Sequence, residues 1–564
     1  MNMLRNRIVL WAWLICIAVV LRAGASEALL SDQKASKWLL IGKLKAQATF
    51  RTVDTPDNNP IPIEAGDLIS QRNLLFLEFK HNLGDVVPGL QLAYFLQGRF
   101  FYDGAWDYGP DVLSDDDTRR YYLYDNRDQI DDLKKDADLF IGYLDVTSGP
   151  FFCRIGRQVL SWGEMSTLRV LDGTNPLDNS TLSVDLLERL VPLAMIRTSL
   201  AFDYVGPFSS LSLQGYYVPG KLDNTNGEDI IGGSPIMPPI GRYTIEDLED
   251  PFSLASLSQV ADQVEDDIDS DRFGVKLGMM VGGLNLSFAY YRTYSDIPVP
   301  FLDVDALHPV YLWEVLGDFD PEDPLGSILG GQKLKVLLDI EEVDVYGGSF
   351  NYNWEWIDTV LRGEFALYKN VPKMTGGSIE TLVKELGGKI YLLPGLSLGS
   401  LISGLDLGEL GDMTLPFTTG TIATFGVLKY GFGVDKWMKI PPLNTEDFII
   451  IAEYVGSKIL DYQDETILLP WQGPHGETLY ETEYSHTLVL ITNTSYLNGN
   501  LTPQLVAMYE VAPKAFSCIP SVKYVWRNME FEASYFHTIS DTYEGNLGML
   551  ESRNEVSFSV TYNF

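Results

Sequence analysis

The last nine residues of the chain, Val556 to Phe564, alternate strictly between apolar and polar side chains. Successive side chains of a strand point to opposite sides, so the apolar residues of this segment all share one face. In a membrane-spanning β-barrel, such a strand turns its apolar face to lipid and its polar face to the lumen. The segment therefore predicts the closing strand of a transmembrane β-barrel.

Residues 1–25 have the features of a secretory signal peptide. Two arginines precede an apolar run over residues 8–21, and small residues follow at 23–25 in the spacing that signal peptidase recognises. The run is shorter than the about 20 residues that a helical membrane span needs. We therefore expect cleavage after residue 25, a single barrel domain over residues 26–564, and a final location in the bacterial outer membrane.

Alternating segments recur along the rest of the chain, and no later stretch reaches the length of a transmembrane helix. Tight hairpins are predicted at Thr147–Pro150 and at Gly282–Gly283, where turn residues separate two alternating runs. Bacterial barrels contain an even number of strands. Together these segments predict an all-β fold, a transmembrane antiparallel β-barrel of roughly 16 strands, within a range of about 14–18.

Long connections separate several strand pairs and are expected to form partly helical extracellular loops, since the periplasmic turns of such barrels are short. In one loop a helix is predicted to begin after Ser378, which can cap it, and to end at Gly387-Gly388. The longest connections cover roughly residues 164–194, 219–270, 295–333 and 370–420.

One of these loops carries apolar residues at helical spacing. After Pro251, the side chains of Leu254, Leu257 and Val264 fall on one helical face, which must be buried somewhere. We interpret this face as a hydrophobic site at the barrel mouth for an apolar or amphipathic solute. The alternative is that the loops pack together as a lid that binds no ligand.

The chain carries a formal net charge of −36 at pH 7. This excludes nucleic acid as a partner, because its binding requires Lys and Arg to neutralise phosphates. The acidic clusters lie between strand-like segments, at residues 115–117, 246–250, 265–271 and 318–323. They can be solvated loops, or they can bind divalent cations that bridge to lipopolysaccharide, or they can favour cations at the pore.

The densest group of polar residues covers a strand end and the connection after it. An Arg in lipid is destabilising by about 2–4 kcal/mol near the midplane, so these side chains are expected to face the lumen or the loop base. Two roles remain open: a network that anchors the long loop to the barrel, and a constriction or ligand site. The residues are Arg154, Arg157, Gln158, Trp162, Glu164, Asn175 and Asp178.

The pattern R-x-G-R-Q-x-x-x-W-G-E at residues 154–164, followed by N-P-x-D at 175–178, resembles the hallmark of a known family. That family comprises proteobacterial outer-membrane barrels defined only as a domain of unknown function. Its members resemble barrels encoded near genes for steroid and hydrocarbon breakdown, and lipid-type exporters. The resemblance covers the mature chain and implies the passage of hydrophobic small molecules.

The C-terminus also resembles the signal by which the barrel-assembly machinery recognises outer-membrane proteins. In this chain the matching residues are Phe558, Val560, Tyr562 and Phe564. The resemblance implies two kinds of partner, the assembly machinery and the outer-membrane lipid, including lipopolysaccharide.

Nothing in the sequence indicates catalysis, a metal site or a cofactor. The five histidines are scattered, and the G-x-S-x-G match at residues 395–399 lies in a loop without the strand and helix that a nucleophile elbow needs. We therefore expect a channel or transport barrel for hydrophobic or amphipathic small molecules. The alternatives are a water-filled, cation-preferring porin and a structural barrel that encloses a periplasmic partner.

Overall fold

The structure is a computed structural model in which most of the chain after residue 37 is described. Between the described ranges lie gaps in several of the long connections, and the predicted helix that carries Leu254, Leu257 and Val264 falls in one of them. The described residues are 38–54, 63–115, 118, 134–177, 190–220, 271–295, 299–303, 307–311, 335–339, 341–375, 377–402, 414–415, 418–419, 423–444, 446–462, 467–472, 478–542, 544–548, 550–551 and 553–564.

Eighteen antiparallel strands pair each with the next and form a closed barrel, because the last strand also pairs with the first. The predicted fold class is confirmed, with a strand number at the upper end of the expected range. The strands are β1 Trp38–Arg51, β2 Leu68–Val87, β3 Leu90–Asp103, β4 Lys135–Ser148, β5 Phe151–Gln158, β6 Leu193–Val205, β7 Phe208–Val218, β8 Arg272–Val281, β9 Leu284–Tyr294, β10 Glu342–Trp354, β11 Thr359–Thr375, β12 Ala423–Lys439, β13 Asp447–Ile459, β14 Tyr484–Asn493, β15 Leu501–Glu510, β16 Ala515–Trp526, β17 Met529–Ile539 and β18 Glu555–Asn563.

The outer face of the barrel is apolar and its inner face is largely polar. Phe365 and Phe432 are 51% and 54% exposed on the outside, whereas Glu364 and Glu453, which point inward, are buried. Strand β18 follows the predicted alternation, with Phe558 exposed on the outer face and its polar neighbours turned inward. This distribution is the one that a barrel spanning a membrane requires.

Short turns lie at the end of the barrel where β1 begins and β18 ends. The connections at the other end are long, except for residues 511–514 between β15 and β16. The two predicted hairpins are confirmed: β4 and β5 are joined by Gly149-Pro150, and β8 and β9 by Gly282-Gly283. Both glycines of the second turn have positive φ, 56° and 82°, as a two-residue hairpin turn that follows the strand twist requires.

The helices are short and lie in the connections. The helix predicted after Ser378 is present as α3, but its predicted end is wrong, because the helix continues through Gly387-Gly388 to Lys389. Among the described residues, no helix is long and apolar enough to cross a membrane. The helices are α1 Ala105–Tyr108, α2 Asp111–Ser114, α3 Ile379–Lys389, α4 Leu398–Ile402 and α5 Gly545–Gly548, with a 3-10 turn at Glu355–Ile357. Further strands lie in the connections at Val299–Asp303, Val310–Tyr311, Lys335–Asp339, Gly377–Ser378, Ile390–Leu393, Leu396–Ser397, Thr414–Leu415, Thr418–Thr419, Ile467–Gln472 and Thr478–Tyr480.

The barrel closes at a seam between β1 and β18, next to the last residue of the chain. The backbone of Phe564 donates to the carbonyl of Gly42 at 2.9 Å and accepts from its N–H at 2.7 Å. The Phe564 ring lies over Gly42, where a Cβ would come within 2.2 Å of the ring. It also stacks on Tyr562, with ring centroids 5.8 Å apart. The terminal aromatic therefore completes the pairing that closes the barrel.

Candidate functional site

The connection between β5 and β6 begins with a tightly bonded base. Gln158, at the end of β5, is fully buried and donates from its side chain to the carbonyl of Met195 on β6 at 3.1 Å. Asn175 joins the two legs of the connection, since its side chain accepts from the Leu160 N–H and donates to the Val191 carbonyl, both at 2.8 Å. These two amides fix where the chain leaves the barrel wall.

Between these legs, residues 161–175, which we call the inserted segment, run inside the barrel against the wall formed by β7 to β13. The side chains of β11 show that the segment lies on the lumenal side of the wall. Phe365 is exposed on the outside, so its alternate neighbours Arg362, Glu364 and Tyr368 point into the lumen. All three of these side chains bind the inserted segment. The segment therefore narrows the lumen from one side.

Glu364 is the centre of this attachment. Its carboxylate accepts backbone N–H groups of the segment from Met165 at 2.8 Å and Leu171 at 2.9 Å, and also accepts from the N–H of Glu164. The Glu364 side chain is only 3% exposed. A buried carboxylate is strongly destabilising unless hydrogen bonds satisfy it. The segment supplies those bonds, so the loop and the carboxylate stabilise each other.

Arg362 holds the same turn of the segment from the other side. Its guanidinium donates to the carbonyl of Glu164 and, at 3.1 Å, to the hydroxyl of Ser166. It also pairs with Asp435 at 2.5 Å and Glu453 at 3.0 Å on the two following strands. Glu453 in turn accepts the Ser166 N–H at 2.8 Å. The guanidinium is therefore compensated by two carboxylates while it binds the segment.

Two tyrosines complete the attachment. Tyr291 on β9 donates to the carbonyl of Leu171 at 2.8 Å and accepts from the N–H of Gly173 at 3.1 Å. Tyr368 on β11 donates to the carbonyl of Val170 at 2.7 Å. Most of these bonds use backbone atoms of the segment, so its path is fixed with little dependence on its own side chains.

The wall accommodates the segment through glycines at inward positions. A Cβ at Gly431 on β12 would lie 3.1 Å from both the Met165 sulfur and the Val170 methyl. A Cβ at Gly347 on β10 would lie 2.5 Å from the Leu171 side chain. Glycine in a strand often marks the close approach of another backbone, and here it admits the inserted segment.

Replacing Gly431 by leucine is therefore expected to push the segment off the wall without removing any of its hydrogen-bonding partners. Trypsin cleavage after Arg169, which lies in the segment, should become severalfold faster in detergent-solubilised folded barrel. The control is Gly98→Leu on β3, which adds the same side chain on the outer face, between Leu96 and Phe100, where a Cβ would meet only ordinary contacts at 3.5 Å or more. Equal cleavage rates in both variants would contradict the packing described here.

The residues predicted from the sequence separate into three groups. Gln158 and Asn175 form the loop base, and Trp162 and Glu164 belong to the inserted segment. Trp162 is 2% exposed and packs on Tyr216 of β7, with ring centroids 5.2 Å apart. The Glu164 carboxylate accepts from the Asn351 side chain at 3.2 Å.

The third group, Arg154 and Arg157, stays on the barrel wall. Arg154 forms two hydrogen bonds to Asp145 on β4, at 2.7 and 3.0 Å. Gly156 has a φ of +132°, although β5 keeps its register with both neighbouring strands there, and Arg157 reaches Asp138 at 3.0 Å. Asp178 lies outside the described residues, as do Leu254, Leu257 and Val264, so their predicted roles remain predictions.

The residues that hold the segment were not predicted from the sequence. Arg362, Glu364, Tyr291 and Tyr368 lie some 120 to 200 residues further along the chain than the groups they bind. One signal was present: Arg362 and Glu364 alternate with apolar or small residues in a clear strand, and two adjacent inward charges need a partner. The inward glycines at positions 347 and 431 were a second signal.

The inserted segment and its attachment to the wall constrict the lumen of the barrel. An 18-stranded barrel is wide enough for an aqueous channel, and the segment occupies one side of it. Among the described residues, no three His, Cys, Asp or Glu side chains are grouped to hold a metal ion.

Solved structures of similar architecture are outer-membrane barrels of low sequence identity. Salmonella typhi OmpF, in complex with daunomycin, is 10% identical, with a TM-score of 0.39 over 94% of this chain and 99% of that one. Acinetobacter baumannii OccAB1 is 9% identical, with a TM-score of 0.42 over 94% and 99%. Pseudomonas aeruginosa OccK9 (OpdG) is 10% identical, with a TM-score of 0.41 over 93% and 98%.

No curated protein sequence matches the chain. A family model does, and it extends over residues 18–564, which is nearly the whole sequence. The match agrees with the resemblance found in the sequence. The chain belongs to the family described as Protein of unknown function (DUF1302).

Proposed function

We propose that the protein is an outer-membrane channel, narrowed by the inserted segment, that passes hydrophobic or amphipathic small molecules. One observation carries the proposal: apolar and aromatic side chains project into the lumen from the strands that the segment does not contact. The inside of a water-filled membrane barrel is ordinarily polar. Apolar side chains in such a lumen therefore favour a solute that has apolar surface of its own.

Two patches of inward apolar side chains are present, and only the first keeps part of its surface exposed. On β2, β3 and β5, Phe76, Phe95 and Phe152 are partly buried on the inner face, and Phe95 stacks on Tyr143 of β4 at 5.3 Å between centroids. On β14 to β17 the inward apolar side chains are instead buried against Leu550 of the connection between β17 and β18. They are Val506, Ile519 and Phe536, with Ile491 and Met508 packed against them.

The first patch can contribute useful affinity. Fully burying an aromatic or branched apolar side chain contributes about 1.5–3 kcal/mol. Two or three rings that each cover part of a solute would hold it at roughly micromolar to millimolar affinity. Binding of this strength retains a solute in the lumen and still releases it, which is the balance that passage requires.

The outer surface supports the placement in a membrane. Besides its exposed apolar residues, it carries a row of rings across β12, β13 and β14, formed by Tyr430, Tyr454, His486 and Tyr484, with neighbouring centroids 5.9 to 6.1 Å apart. Aromatic side chains of this kind gather at the interface between lipid and water. We propose outer-membrane lipid, with lipopolysaccharide, and the assembly machinery as its partners.

Planar-bilayer conductance and solute uptake into liposomes test the proposal. The purified barrel should give small single-channel currents, because the segment fills part of the lumen. It should also admit a neutral aromatic solute, such as 2-naphthamide, faster than protein-free liposomes do. A large ohmic conductance with no aromatic uptake would favour the water-filled porin. Neither current nor uptake would favour the structural barrel.

A further inference from the structure

Two arginines lie side by side on the lumenal wall next to the inserted segment. Arg154 on β5 and Arg197 on β6 are directly paired in register. Ile155 and Ile196, which alternate with them, are 46% and 42% exposed on the outer face, so both arginines point inward. Like charges directly opposite each other in a sheet destabilise it.

Within the described residues, only one of the two arginines forms a salt bridge. Arg154 forms its two hydrogen bonds to Asp145 and lies over the Tyr143 ring, 3.6 Å from its centroid. Arg197 makes no salt bridge within the described part of the chain, and its Nε is shielded from solvent and unbonded there. The wall therefore holds one guanidinium in excess of its carboxylates at this point.

An aromatic ring adjoins both arginines. Phe152 is inward and partly buried, and its centroid lies 5.7 Å from the Arg154 guanidinium carbon and 6.0 Å from that of Arg197. On the other side, Arg197 pairs in register with Tyr216, the ring on which Trp162 of the inserted segment packs. A solute that passes the constriction on this side therefore meets apolar rings together with a guanidinium that no carboxylate of the described residues pairs with.

We propose that Arg197, supported by Arg154 and Phe152, binds the carboxylate of amphipathic organic anions, molecules that join a carboxylate to an aromatic or aliphatic body. The inference rests on the proposed channel function and adds the charge of the solute. A planar guanidinium pairs with a carboxylate through two parallel hydrogen bonds, which a neutral amide or alcohol cannot match. The Phe152 and Tyr143 rings provide contact surface for the apolar body.

The rest of this lumenal wall carries both positively and negatively charged side chains. On β2, Glu78 is inward and accepts from the Gln97 side chain at 2.7 Å. Arg72 on β2 and Lys43 on β1 are also inward, and neither forms a salt bridge within the described residues. This wall of the lumen therefore carries cations as well as carboxylates, although the whole chain carries a net charge of −36. The acidic clusters of the sequence lie in the connections between strands. The lumen therefore discriminates between solutes by the charges on its own wall and not by the net charge of the chain.

The test compares two probes of the same shape, 2-naphthoate and 2-naphthamide, in uptake by liposomes that contain the full-length barrel. Wild-type protein should admit both and prefer the anion. Arg197→Gln should lower naphthoate uptake by about tenfold, the effect of losing a hydrogen bond to a charged group, and leave naphthamide uptake unchanged. Arg197→Lys should retain part of the preference. The matched control is Lys523→Gln, which removes a lumenal cation from β16, away from this site, and should change neither probe.

Each remaining outcome has one meaning. Unchanged naphthoate uptake in Arg197→Gln overturns the inference while the channel function stands. If Arg197→Gln lowers the uptake of both probes equally, the inference is also overturned, because Arg197 would then affect only the shape of the barrel. If Lys523→Gln lowers naphthoate uptake as much as Arg197→Gln does, the anion responds to the total positive charge of the lumen and not to a site at Arg197. That result would also overturn the inference. If the wild-type barrel admits neither probe, the proposed function itself fails.

Discussion

Glu364→Ala should release the inserted segment and raise the single-channel conductance about twofold or more. The substitution removes the acceptor of three backbone N–H groups of the segment. A hydrogen bond to a charged group contributes about 1.5–3 kcal/mol, and losing this carboxylate leaves three N–H groups of the segment without their acceptor. The barrel itself should stay folded, because its strand pairing does not involve this side chain.

Two measurements check this expectation: the single-channel current in planar bilayers, and the rate of trypsin cleavage after Arg169. Glu364→Gln keeps one acceptor oxygen and should give an intermediate result. The control is Glu78→Ala, which removes another lumenal carboxylate, on β2, that binds Gln97 and not the segment. If Glu364→Ala matches wild type in both current and cleavage, the carboxylate does not hold the segment.

Phe564→Asp should lower the amount of folded, heat-modifiable barrel in the outer membrane severalfold. The Phe564 backbone pairs with Gly42 across the seam and its ring covers that glycine. A charged side chain removes the ring and places a carboxylate on the lipid face, where charge is unfavourable. An unclosed seam leaves two strand edges unpaired.

Band shifts on unheated gels and surface protease protection measure the folded fraction. Phe564→Trp should assemble nearly as well as wild type, since an aromatic ring is kept. Phe432→Ala removes another exposed outer aromatic, on β12 and far from the seam, and should have little effect. If Phe564→Asp protein folds to wild-type levels, Phe564 is not part of the assembly signal.

The fold could be predicted because its determinants are local. The alternation of β18, the Gly282-Gly283 turn and the helix after Ser378 each follow from residues within a few positions of one another. The strand number was less well defined, because a single strand such as β5, with eight residues, gives only a weak pattern. Closure into 18 strands depends on the pairing of the whole set.

The candidate site could be predicted only in part, because it joins distant segments. The motif around Trp162 and Glu164 marked the inserted segment as unusual. Its attachment uses Arg362 and Glu364, some 200 residues away, and they bind its backbone, which has no side-chain signature. Arg197 was missed for the same reason: its importance follows from cross-strand register with Arg154, and register is set by the folded sheet.

Backbone attachment has a consequence for how the channel could be altered. Ser161 and Ser166 of the inserted segment are exposed, and the Ser166 N–H is bound independently of its side chain by Glu453. Each hydroxyl makes one hydrogen bond, since Ser161 donates to Asp172 at 2.9 Å and Ser166 accepts from Arg362 at 3.1 Å. Glu364, Tyr291 and Tyr368 bind the main chain without using either hydroxyl, so they should keep its path when these two side chains are exchanged. The barrel wall therefore fixes the main chain of the inserted segment, while the exposed side chains of that segment can vary. New solute preferences could be introduced at these two positions without redesigning the wall that holds them.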